Sequence, residues 1–116
     1  MSDKRKVPAP LESSIQEAIL EALAARGFWA WRVNSGATVI GSGAGRRMFR
    51  GAPSGTPDIR VESPVSGYLE VKRPGGKLSE SQWKWHERAA KHGVRVAIVH
   101  SASEALHVMG CWRLGL

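Results

Sequence analysis

In the run "SGTPDIRVESPVSGYLEVKRPGG", residues 54–76, Asp58 follows a Gly-x-Pro turn, and Glu70 and Lys72 come twelve and fourteen residues later inside a short apolar stretch. Charged groups in apolar runs are costly unless something pairs with them. Alternation along "YLEVKR" sends Tyr68, Glu70 and Lys72 to one face of a strand and Leu69, Val71 and Arg73 to the other. If "PDIRVE" and "YLEVKR" pair as a hairpin across the turn "SPVSG", Asp58 comes near Glu70. Two carboxylates so placed repel, and the pKa of one rises unless a cation binds. A hard divalent ion with oxygen ligands and waters answers that repulsion. Lys72 then stands where an ammonium group could orient a nucleophilic water or stabilise charge on a phosphate. The plainer reading of the same residues is a solvated hairpin face on which Glu70 and Lys72 neutralise each other.

The elements that must position these groups are legible on both sides. Leu11, Ile15, Ala18, Ile19, Ala22 and Leu23 recur at helical spacing, Ser13 or Ser14 offers a capping box, and Gly27 suits the stop. "FWAWRVN", residues 28–34, reads as a strand with Trp29, Trp31 and Val33 on one face, and both tryptophans are expected in the core rather than as base-stacking platforms. The Gly- and Arg-rich segment 35–55 reads as a long loop with a short strand or two, and loops of that length are often functional. After the hairpin, "PGGK" breaks the strand and a helix is expected from Ser79, its N-cap, to about His92, with Gly93 as the stop. "VRVAIVH" is almost wholly apolar, as expected of a strand in the middle of a covered sheet. Ser101-x-x-Glu104 caps a last helix. The order α-β-(loop)-β-β-α-β-α implies an α/β domain with a mixed central sheet flanked by helices.

Composition narrows the function. The chain has 116 residues, 42% of them hydrophobic, enough for one core in a single domain over residues 11–116, with residues 1–10 expected as a mobile basic tail. No apolar run approaches 18 residues, and "MSDKRKVPAP" lacks the apolar segment of a secretory signal. Cys111 is the lone cysteine, which fits a reducing, cytoplasmic setting, and no Cys/His spacing suggests zinc. The net charge of +7 points to a polyanion, nucleic acid first. "GSGAGRR" lacks the spacing of a phosphate-binding loop, so an NTPase is not expected.

"GTPD" followed by "EVK" resembles the PD-(D/E)xK nuclease superfamily, with its restriction-endonuclease-like core. Together with "ESSIQEAILEALAARG", "WRVNSG", "YLEVKRPGGKLSESQ" and "VAIVHSASEAL", the chain resembles the VRR-NUC (virus-type replication-repair nuclease) domain over about residues 11–108. Small stand-alone phage and bacterial members look most like it. The resemblance implies that Asp58 and Glu70 bind Mg²⁺ or Mn²⁺ with the main-chain carbonyl of Val71, and that Lys72 is the catalytic lysine. It also implies that Glu12, in "E-x-x-I-Q", is a helix carboxylate facing the site, and that Gln82 is the glutamine of the following helix. Glu17 is a rival for the place of Glu12, but five residues on it turns to another helix face. The implied activity is endonucleolytic hydrolysis of DNA leaving 5′-phosphates, by homodimers acting on branched DNA such as four-way junctions. Two rivals stay open: a nuclease cutting linear duplex at a sequence or nonspecifically, and a non-catalytic nucleic-acid-binding module.

Other residues were weighed for DNA contact. Arg46, Arg47 and Arg50 in the Gly-rich loop could reach phosphates, and Arg73 and Lys77 would extend the same basic rim. Gln82 shares a helix stripe with Leu78, Trp85 and Ala89, whereas Trp83 lies on another face, so one of the two tryptophans is expected to be exposed. His86, His92, His100 and His107 form no ligand spacing and are expected to be structural or surface residues.

Overall fold

A computed structural model describes residues 11–33, 37–40 and 47–116, with the backbone alone for 37–40 and 47–50. The expected tail, residues 1–10, lies outside the described residues, as does Arg46. Helix α1 (Glu12–Ala25) is followed by strands β1 (Trp29–Arg32), β2 (Ala37–Ile40), β3 (Arg47–Arg50), β4 (Ile59–Ser63) and β5 (Gly67–Val71), helix α2 (Glu80–Lys91), strand β6 (Val96–Val99) and helix α3 (Ala102–Arg113). Four strands form one mixed sheet in the order β1-β4-β5-β6, antiparallel except for the parallel β5–β6 pair, while β2 and β3 pair as a separate ribbon in the long loop.

The periodicities sort residues between two faces. Ile15, Ile19 and Leu23 form the buried stripe of α1 and pack with Ala105, Met109 and Trp112 of α3. Ile59, Val61, Leu69, Val71 and Val99 meet them from the sheet, so this face is the hydrophobic core. The opposite face carries Asp58, Arg60, Tyr68, Glu70 and Lys72, with α2 laid over part of it: Tyr68 packs edge-on against Trp85, ring centroids 4.8 Å apart. Gly67 is fixed by close approach, because a Cβ there would meet the Trp112 ring at 2.6 Å.

Three expectations are corrected. Neither Ser13 nor Ser14 caps α1; Leu11 is the N-cap with no side-chain bond, and Glu12 supplies the first-turn carboxylate that the positive helix end favours. "VAIV" is not central: β6 stands at the sheet edge, and Ile98 is 43% exposed. The β5–α2–β6 crossover sets β6 beside β5, whose other side β4 already occupies, so apolar content here reflects packing on one face only. Trp29 and Trp31 are also not core: they are 63% and 40% exposed, whereas Phe28 is buried. The described residues leave β1 at an edge of the sheet, and α1 and α3 cover the other face.

The remaining start and stop signals hold. Ser79 caps α2 reciprocally with Gln82, Ser101 accepts from the Glu104 amide, and Gly27 and Gly93 follow their helices with φ of +82° and +68°. Trp83 is the exposed tryptophan of α2.

Candidate active site

The β4–β5 register pairs Ile59 with Leu69 and Arg60 with Tyr68. One step further along the same line, Asp58 stands opposite Glu70. The Tyr68 and Lys72 amides donate to Arg95 and Val99 on the β6 side, at 2.9 and 3.1 Å. Leu69 and Val71 therefore turn their backbone groups toward β4, and Asp58 and Glu70 form a close pair without ladder bonds, Cα atoms about 4.5 Å apart in such geometry.

Asp58 is held from two sides. Its carbonyl accepts from the Val33 amide at 2.8 Å, continuing the β1 ladder, and its Oδ2 accepts from the Val71 amide at 2.7 Å. The Asp58 side chain thus takes the Val71 amide that a continued β4–β5 ladder would have paired.

Glu70 is fully buried. His86 Nε2 lies 3.1 Å from its Oε1, and Gln82 Nε2 donates to its Oε2 at 3.5 Å. Burial first, and the neighbouring Asp58 second, push the Glu70 carboxyl up to about 8; Lys72 acts in the opposite direction, and Glu12 adds a smaller repulsion. Lys72 is itself buried and Glu12 half-buried. The structure therefore brings Asp58, Glu70, Val71, Lys72 and Gln82 together, with Glu12 reaching the cluster from the start of α1. Among the described residues no three of His, Cys, Asp and Glu are grouped so that they could hold one metal ion.

These groups sit in a chain segment whose family match is clear. A family model described as the VRR-NUC domain matches residues 11–103, a span containing Glu12, Asp58, Glu70, Lys72 and Gln82. The chain belongs to the VRR-NUC family. A solved structure titled "VRR_NUC domain" is similar over 85% of this chain and 94% of its own, at 26% identity and a TM-score of 0.60. No curated protein matches. A VRR-NUC domain is a nuclease-type domain, and the mixed sheet with three helices agrees with that core.

Within this VRR-NUC domain, α2 is locked to the turn that carries Asp58. Gly55 has φ +85°, and a Cβ on it would meet the Ser81 carbonyl oxygen at 2.1 Å. Gly55→Ala is expected to destabilise the fold, by roughly 1–3 kcal/mol from backbone conformation alone, and to cost more than Gly75→Ala. Gly75 also has positive φ but faces open space. Thermal denaturation of both variants checks this, and equal losses would remove the close approach as a cause.

Arg73 and Lys77 are exposed on the turn after β5, next to Lys72. Arg47 and Arg50 are the end residues of β3. Glu17 is exposed on α1. His86, expected to be a structural or surface residue, is structural: it bonds Glu70. Its signal was its spacing: four residues after Gln82, it shares that helix face. Burial also holds the His86 imidazole below its ordinary pKa, so its interaction with Glu70 is a hydrogen bond of a neutral ring at neutral pH.

Proposed function

We propose that this VRR-NUC domain is a divalent-metal-dependent DNA endonuclease whose site is Asp58, Glu70, Lys72 and the Val71 carbonyl. The observation that carries the reading is the fully buried Glu70, pushed up to about 8 opposite Asp58. A fully buried carboxyl opposite a half-buried one offers hard oxygen ligands, and these fit Mg²⁺ or Mn²⁺ better than a softer ion. An ion held by Asp58, Glu70 and the Val71 carbonyl would supply polarisation of the scissile phosphate and a bound water of lowered pKa.

The protein's own groups do the rest. The Val71 amide fixes the Asp58 carboxylate, and Gln82 and His86 fix that of Glu70. Lys72 projects from the same strand face and supplies a positive charge for the attacking water or the developing phosphorane. Arg73 and Lys77 border the site and suit the phosphate backbone, with Arg46, Arg47 and Arg50 proposed for the same work from the long loop. Binding through such contacts should weaken steeply with salt.

Branched DNA, four-way junctions in particular, is the proposed substrate. A homodimer would match the two-fold symmetry of a junction. The lone Cys111 suits the cytoplasm of a bacterial or phage-infected cell.

The test is a panel of junction, flap, duplex and single strand with Mg²⁺, Mn²⁺ or EDTA. Metal-dependent cleavage, strongest on a branched substrate, is expected. Tight binding without cleavage of any member would reduce the domain to a binding module. Glu12→Gln should slow cleavage by about tenfold or more in single-turnover assays, and an unchanged rate would return Glu12 to an ordinary helix-end charge.

A further inference from the structure

Trp29 and Trp31 are exposed on β1, with ring centroids 5.3 Å apart and planes tilted by 56°. Large indoles left in water, side by side, mark a contact surface more often than chance exposure does. Their position says what the contact is. The β1–β4 register pairs Trp31 with Arg60, so Trp31 starts from the sheet face that bears Asp58, Arg60 and Glu70. Val33, two residues on, bonds the Asp58 backbone. Trp31 is thus the diagonal neighbour of Asp58, about 7–8 Å away between Cα atoms in such a ladder.

On the other side of β1, Trp31 and Arg32 border a shallow groove with Glu17, Leu20 and Glu21. Those carboxylates repel phosphate, so a DNA strand leaving the candidate centre is turned toward the side bearing Arg60. Arg60 there lies over the Tyr68 ring at 5.0 Å and bonds Glu62, which fixes it as part of the floor. The chain as a whole carries +7.

Resting on the nuclease reading above, we infer that Trp29 and Trp31 form a stacking platform for nucleobases freed from pairing beside the scissile phosphate. Paired bases hide their faces in the duplex, so the platform favours DNA with an unpaired or splayed strand beside the cut. It gives little to blunt duplex. Stacking of this kind is sequence-tolerant, because every base has a π face.

The experiment uses the full chain and three labelled DNAs: a blunt duplex, the same duplex with a single-stranded arm, and the arm alone. Binding is read by anisotropy in EDTA, with 2-aminopurine placed along the arm to report stacking. Trp31→Ala and Trp29→Ala are expected to weaken binding to the armed DNA and the single strand at least about fivefold each. Blunt-duplex affinity should stay within about twofold, and the double Trp→Phe variant should keep most of the preference. Equal losses on all three DNAs, or none, would overturn the platform. So would variants that bind DNA normally but lose self-association in sedimentation, since a second copy would then be the occupant. If the wild type cleaves nothing with Mn²⁺ yet keeps the tryptophan-dependent preference, the stacking site stands and the nuclease reading fails.

Discussion

Lys72→Ala should cut the single-turnover rate on the best substrate by at least about a hundredfold, the usual loss when one positioned electrostatic group is removed from a reacting centre. DNA affinity should stay within about twofold. Lys72 is buried beside Glu70, so it adds little to the long-range attraction of backbone phosphates, for which the exposed Arg73 and Lys77 are the proposed contacts. Removing an ammonium group from beside a buried carboxylate also raises the cost of ionising Glu70. Lys72→Arg therefore serves as a companion: it keeps the charge but replaces a compact ammonium with a broad planar fork. Little rescue by arginine is expected. Equal rates for Lys72→Ala and wild type would remove Lys72 from the chemistry.

Glu70→Gln should do two opposite things. It should abolish metal-dependent cleavage, and it should make the metal-free protein more stable, increasingly so as pH rises from about 4.5 to about 8. The sign follows from linkage. An acid whose folded pKa is raised from 4.5 to about 8 holds its proton in the folded state and loses it in the unfolded state across that window. The folded state then binds more protons, and stability falls as pH rises. Glutamine carries no charge and removes that loss while keeping a group for Gln82 and His86 to bond. Melting curves in EDTA at several pH values check it. Parallel curves for variant and wild type would show that Glu70 is not held in an unfavourable site. Adding Mn²⁺ should raise the melting temperature of the wild type and leave that of Glu70→Gln nearly unmoved.

Much of this arrangement was legible in the sequence because short-range rules carry it. Alternation put Glu70 and Lys72 on one face, the hairpin-length gap put Asp58 across from Glu70, and Ser79 announced the start of α2. What escaped depends on layers that no local pattern encodes. Trp29 and Trp31 have strand spacing and core-like chemistry, but their burial depended on whether a helix covers that side of β1, and α2 reaches only the β5 side. "VAIV" reads as central because its residues are apolar, yet its place at the edge is set by the parallel crossover. His86 shows no metal-ligand spacing, and its expected structural role takes a specific form, holding the Glu70 carboxyl, that depends on how α2 lies over β5.

The central claim is that Asp58, Glu70 and the Val71 carbonyl hold one hard cation. Anomalous diffraction from crystals grown with Mn²⁺ tests it most directly. A single strong peak bonded to both carboxylates and to that carbonyl, absent from Asp58→Asn crystals, is the predicted result. No peak at full manganese occupancy elsewhere, with Glu70 still bonded only to His86 and Gln82, would contradict it.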